Sequence, residues 1–170
     1  AKDGVNPMRD KVGEVVADPR LNLSDSPLLA DGFGYALFDA EGSPTVKTPL
    51  IQHGELVTLI HNSATAGHFG CKTTGHADRG PRSTMGVGLH QLEVEAGPDA
   101  DVLAGEYLEL TDLTGLHSGA NPIAGDFSFG ASGYLCRDGE RIKPVRGVTV
   151  AGNFYNMIRQ IRAIGDTQLW

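Results

Sequence analysis

Three residues with metal-ligand chemistry lie close together in the chain: His68, Cys71 and His76, with His61 just before them. Imidazole nitrogen and thiolate sulfur are the donors of tetrahedral zinc sites, so a zinc centre on this segment is chemically possible. The spacing, H-x2-C-x4-H, matches no strong zinc pattern, and solvated or hydrogen-bonded loop residues are the plainer reading. No H-E-x-x-H or H-E-x-x-x-H run occurs. Without one, no helix offers two histidines to hold an ion and a glutamate to activate water. Ser118, His117 and Asp126 have the types of a nucleophilic triad, but neighbours in a turn or strand point apart, and no G-x-S-x-G elbow is present. Asp31, Asp39 and Glu41 read as turn-forming carboxylates rather than acid/base groups. A phosphate cradle needs a strand, a glycine loop and then a helix. The glycine-rich stretch here runs into a strand instead, so nucleotide binding is not expected.

That stretch, GLHSGANPIAGDFSFGASG over residues 115–133, is what the chain is arranged around. It has glycines at 115, 119, 125, 130 and 133 and an Asn121-Pro122 turn step. Glycine is used where a chain needs positive φ or close backbone approach. From Asp126 the sequence alternates, with Phe127, Phe129 and Ala131 on one side and Asp126, Ser128, Gly130 and Ser132 on the other. This predicts a half-buried strand with a small, polar, open second face. Such a face suits an extended chain or a partner subunit; a solvated strand after a long turn is the simpler alternative.

The elements around it are read in order. Residues 1–30 carry Pro7, Pro19 and Pro27 and look like a lead-in that docks on a body, with a short helix over 9–16. The chain has no start methionine, so a fragment or processed piece is expected. Residues 35–38 form a short strand. Runs 45–51 and 56–61 form a hairpin across residues 52–55. Pro49 places the first run at an edge or bulge, and the apolar faces of the second make it central. Residues 66–88 are expected to be one long irregular loop. A strand over 89–94, a helix over 99–104 opened by Pro98 and a strand over 107–110 follow. Asp138-Gly139 is the strongest hairpin turn, between strands 133–136 and 141–145, and 148–151 is a last strand. Phe154, Met157, Ile158, Ile161 and Ile164 make one apolar stripe, which predicts a helix from Gly152-Asn153 to a C-cap at Gly165.

The 170 residues are 40% hydrophobic and 21% charged, enough for one soluble domain with its own core. No apolar run is long enough to span a membrane, and no secretory signal is visible. The net charge is −7 with no Lys/Arg block, which argues against direct nucleic-acid contact. Cys71 and Cys136 read as free thiols in a reducing cytoplasm.

Taken together, ADGFGYALFDAEGSPTVKTPLIQHGELVTLIHNSATA, KTTGHADRG and GLHSGANPIAGDFSFGASGYLCRDGERIKPVRGVTVAGNFYNMIRQIRAIGD resemble the C-terminal part of the TldD/PmbA (TldE) family, metallopeptidases also called modulators of DNA gyrase. The resemblance runs from about residue 11 to 166. Asn121-Pro122 followed by Gly125-Asp126-Phe127-Ser128 is similar to the PmbA/TldE branch. The resemblance implies a cytoplasmic protein acting in proteolysis, for the maturation or degradation of peptides, as one half of a heterodimer. In it the TldD-type subunit carries the metal on an H-E-x-x-x-H helix plus a later cysteine. This chain has neither, and Cys71 and Cys136 do not match that cysteine. It is therefore expected to hold no metal or other cofactor, with zinc on a TldD-type partner.

The expected fold is α+β: a mainly antiparallel, partly barrel-like β-sheet with a C-terminal amphipathic helix packed on it, in a single domain over residues 1–170. The chain is expected to be the substrate-cleft and partner-binding half of a peptidase. Its expected partners are a TldD-type subunit or a second copy of itself, and an extended peptide. His117, Asn121, Asp126 and Ser128 are the candidate cleft or interface residues, with turn stabilisation as the alternative for Asn121 and Asp126. A self-sufficient metalloenzyme using His68, Cys71 and His76, and a purely structural module, are the other readings.

Overall fold

The computed structural model describes residues 5–99 and 101–167. They fall into two compact units, one reaching to Ala96 and one spanning Gly97–Thr167.

The first unit is built on a four-stranded antiparallel sheet of order β3-β2-β1-β6, from β1 (Leu23–Asp25), β2 (Thr48–Gln52), β3 (Glu55–Leu56) and, later in the chain, β6 (Leu92–Val94). The predicted hairpin is present. Its turn is His53-Gly54, with φ of 49° and 79°, and Ile51 pairs with Leu56. Two consecutive positive φ values match the right-handed twist of the strands, and glycine at the second position makes that possible. The pairing of β1 with β2 shifts register between Leu23 and Ser24, opposite Pro49, so proline lies beside a bulge, as its missing N–H requires.

The order of strands corrects several expectations. The second arm of the hairpin, β3, is not central but at the end of the sheet. Residues 9–16 are not a helix: Val15 bridges Glu55, and Val16 N and Ala17 N donate to Gly54 O at 2.8 and 3.0 Å. The β3 edge offered unpaired backbone groups, and this segment satisfies them. Residues 23–25, read as part of a lead-in, are instead the interior strand β1. Residues 35–38 contribute one bridge, Phe38 to Pro44, rather than a strand.

The long loop over 66–88 is interrupted by structure. Helix α1 (Ser63–Phe69) opens with Asn62 accepting from Thr65 N and Thr65 reaching back to the Asn62 backbone, and closes on Gly70 at φ 67°. Both are recognised cap devices. Strands β4 (Ala77–Asp78) and β5 (Gly86–Val87) form a two-stranded ribbon. Asn62 Nδ2 donates to Gly86 O at 2.9 Å and ties α1 to it. The core of this unit is unusually polar. Beside Val16, Ala17, Leu21, Ile51, Leu56, Ala66 and Ala77 it buries Asp25, Asp39, Thr48, His61, Asn62 and His76. Such groups are stable inside only when hydrogen-bonded.

The second unit is a three-stranded antiparallel sheet of order β7-β8-β9: β7 (Glu106–Thr114), β8 (Asp126–Arg137) and β9 (Glu140–Asn153). Asp138-Gly139 turns β8 into β9 with φ of 51° and 84°, as predicted. Arg141 donates to both Glu109 carboxylate oxygens at 2.7 and 2.8 Å and lies 4.4 Å over the Tyr134 ring, linking β9 to β7 across β8. The predicted alternation holds where it begins, with the Phe127 and Phe129 rings stacked at 5.5 Å.

The C-terminal helix does not form as expected. Helix α2 is only Phe154–Met157. Residues 151–153 stay in β9, and the backbone beyond is held by residues 97–99: Gly97 N donates to Gly165 O at 2.8 Å, and Ile164 N to Asp99 Oδ2 at 3.0 Å. The same pairing, an Asp99–Gly165 bridge, replaces the helix expected after Pro98. The apolar stripe was real, but tertiary hydrogen bonds outweighed a marginal helix. All three sheets are antiparallel, which bears out an α+β fold; none closes into a barrel among the described residues.

Candidate functional site

The glycine-rich segment of the second unit folds back on the start of β8. Ser118 N and Gly119 N both donate to Gly115 O, Ser128 N donates to Gly119 O at 2.7 Å, and Asn121 N to Asp126 O at 2.8 Å. Gly119 allows this approach, since a Cβ there would stand 2.4 Å from Ser128 O. Gly125 has φ +83°, and its Cβ would strike the Tyr155 ring at 2.4 Å. Asn121 Oδ1 accepts from Ile123 N and Ala124 N at 3.0 and 3.1 Å. Asn153 Nδ2 donates to Asp126 Oδ1 at 2.8 Å, and Tyr155 Oη to Pro122 O at 2.7 Å.

Two adjoining depressions result. One is broad and open, lined by Ser118 to Pro122 and by Asp126, Phe127 and Ser128. The other, of about 390 Å³, has an apolar floor of Phe127, Phe129, Phe154 and Tyr155. Asn121 and Asp126 line both, and Ser128 lines the first. His117 lines neither and lies exposed in the preceding turn. Three of the four predicted residues thus share one surface. Asn121 Oδ1 also serves its own turn, as an Asx residue before proline does.

A second constellation lies in the first unit, and sequence spacing did not reveal it. Asp25 ends β1, His76 immediately precedes β4, and His90 stands two residues before β6. Asp25 Oδ2 lies 2.9 Å from His76 Nε2 and 2.9 Å from His90 Nδ1. Asp25 Oδ1 accepts from the backbone N–H of His90 and Gln91 at 3.0 and 2.8 Å. His76 Nδ1 lies 2.7 Å from Thr74 O. The side chains of Asp25 and His76 are 0% and 1% exposed, that of His90 13%. Burial pushes the Asp25 carboxyl up, and the hydrogen bonds from His76, His90 and Gln91 more than offset this, so it ionises below its ordinary range. Burial lowers the His61 pKa, and the neighbouring His76 acts in the same direction.

His76 was recognised as ligand chemistry, but with the wrong neighbours. His68 lies within α1, and Cys71 just beyond it is exposed. Among the described residues, the one group of three His, Cys, Asp or Glu donors that converges is Asp25, His76 and His90. The His68/Cys71/His76 site is therefore not formed. Asp25 and His76 are 51 positions apart, too far for any local pattern. Cys71 and Cys136 are free, as expected, with Cys136 buried.

Asp39 supports this region. Its Oδ2 accepts from Ala77 N, next to His76, and its Oδ1 from Glu41 N and Ser43 N, each at 2.9 Å. Burial raises its pKa, but these backbone bonds bring it below the ordinary value. A carboxyl depressed in the native state contributes stability above its unfolded pKa of about 3.9, and that stability is lost as pH falls through the native value. An Asp39→Asn chain is accordingly expected to be less stable at neutral pH. Its stability should also fall less steeply than the parent's below about pH 4. Urea unfolding at several pH values checks this, and parallel slopes would refute it.

A family model described as the PmbA/TldA metallopeptidase C-terminal domain matches residues 1–170. The chain belongs to the PmbA/TldD family. It is 31% identical over 160 residues to the metalloprotease PmbA of Escherichia coli O157:H7, covering 92% of this chain and 33% of that protein. Among solved structures, a Thermotoga maritima protein named as a DNA gyrase modulator superposes with a TM-score of 0.85 at 31% identity, over 97% of this chain and 39% of that one. TldE from Thermococcus kodakarensis also gives 0.85, at 27% identity, over 96% and 38%. The chain thus spans between a third and two fifths of the length of these relatives. No helix is long and apolar enough to cross a membrane among the described residues.

Proposed function

We propose that this chain is the C-terminal domain of a TldE/PmbA-type subunit, the half of a cytoplasmic peptidase assembly that shapes the substrate cleft and binds the partner. The partner is a TldD-type subunit, or a second copy of this chain, and the substrate is an extended peptide undergoing maturation or degradation. In this reading, which rests on the family resemblance, the catalytic zinc is held by the TldD-type subunit.

The observation that carries this reading is the double depression beside β8. Its polar rim (Asn121, Asp126, Ser128) and aromatic floor (Phe127, Phe129, Phe154, Tyr155) lie on adjoining surfaces. An extended peptide needs backbone partners along one side and pockets for alternate side chains. The outer edges of β7 and β9, unpaired among the described residues, offer the first. Leu108, Leu110, Leu113 and Ile142 of the same sheet are 38–57% exposed, an apolar surface of the kind partner subunits cover. A net charge of −7 favours no nucleic-acid role.

Asp126→Ala tests the cleft. The expected result is native circular dichroism with binding to a TldD-type subunit weakened at least about tenfold, as loss of a central interface group does. Titration calorimetry measures this, and light scattering tells a heterodimer from a self-dimer. Unfolding of the variant, or unchanged affinity, would assign Asp126 to the turn alone.

A further inference from the structure

We propose that Asp25, His76 and His90 bind one divalent transition-metal ion of the zinc class at a buried structural site. His76 Nδ1 lies 2.7 Å from Thr74 O, and a carbonyl oxygen only accepts, so Nδ1 carries a proton. The Thr74 hydroxyl, 2.9 Å from the same nitrogen, can donate to the His61 carbonyl at 3.1 Å. His76 Nε2 faces Asp25 Oδ2, 2.9 Å away, and without a proton or a metal ion on the line both atoms are acceptors. Something positive must lie between them. His90 Nδ1 approaches the same oxygen at 2.9 Å. Protons on the two ring nitrogens would satisfy these lines, and one metal ion bound to all three residues would replace both.

The remaining features agree. One donor atom from each residue lies within 4.8 Å of the other two, so small side-chain shifts would bring all three to bonds of about 2.0–2.2 Å on one ion. Two imidazoles and one carboxylate select a borderline ion such as zinc over calcium or magnesium. The outer shell is built as metal sites build it: the other His76 nitrogen faces a backbone carbonyl, and Asp25 Oδ1 is fixed by two backbone N–H groups. Asp39, bonded to the backbone next to His76, adds a second buried carboxylate. Full burial of Asp25 and His76 leaves no room for a substrate. The ion would join the end of β1 to the segments entering β4 and β6.

The test uses the untagged chain loaded with cobalt(II), followed by dialysis, visible absorption and elemental mass spectrometry. About one cobalt per chain, displaced by zinc, is expected. His90→Ala keeps the backbone N–H groups on Asp25 and should bind at least about tenfold more weakly with native circular dichroism. His68→Ala and Cys71→Ser should bind as the parent does. Should His90→Ala fail to fold, the parent's melting temperature decides, and a rise of several degrees on adding zinc is expected. A folded parent that retains no metal and is not stabilised by zinc overturns the proposal and leaves a proton joining the three residues. Because the chain is tested alone, neither outcome bears on the partner-subunit reading.

Discussion

Asp25→Asn is expected to destabilise the first unit by about 3 kcal/mol, the upper end of the cost of leaving buried hydrogen-bonding groups unpaired. The carboxylate is fully buried and receives His76 Nε2, His90 Nδ1 and two backbone N–H groups. An asparagine can present its oxygen to the backbone donors, but its amide nitrogen then faces His76 and His90. His76 is 1% exposed and has no water to turn to. The loss reaches beyond the side chain, because Asp25 pairs with Thr48 of β2 and Leu92 of β6. Urea unfolding followed by circular dichroism measures the effect. A midpoint equal to the parent's would show that the cluster contributes nothing to folding.

Gly133→Ala is expected to cost the second unit about 3 kcal/mol, the upper range for overpacking, and to release β7 from β8. Gly133 lies opposite Leu110, one step from the bulge in the β7–β8 pairing. A Cβ there would stand 1.8 Å from Glu109 O and 3.0 Å from Leu110 Cα. Both are backbone atoms, so no rotamer change relieves the clash. Glycine inside a strand marks such a close approach. Shifting β7 would also pull Glu109 from Arg141. Amide hydrogen exchange is the direct readout: protection should fall across β7 while the β8–β9 hairpin keeps its own. Unchanged β7 protection would mean the strands move apart at little cost.

Local chemistry was legible wherever it acts over a few residues. His53-Gly54 and Asp138-Gly139 announced their hairpins because positive φ is a property of the turn itself. Pro49 announced a bulge because it lacks a donor. The glycines at 119 and 125 announced close approaches that the folded segment uses. The same logic could have found α1, since Asn62 and Thr65 are a cap pair of the usual spacing and Gly70 a usual stop. The helix expected over 152–165 failed for the opposite reason: its stripe is a good local signal, but residues 97–99 claim the backbone of its last part.

By itself the sequence determined the antiparallel character, the two tight hairpins, the glycine-rich segment before β8 and the family. Each of these is written in neighbouring residues or in a run of motifs. Only the tertiary structure decided that β1 is an interior strand and β3 is not, that the sheets stay open, and that His76 faces Asp25 and His90 rather than His68 and Cys71. Those outcomes depend on contacts between residues 51 and 65 positions apart. A buried carboxylate collects the donors that the folded backbone brings to it, and no spacing along the chain records which they will be.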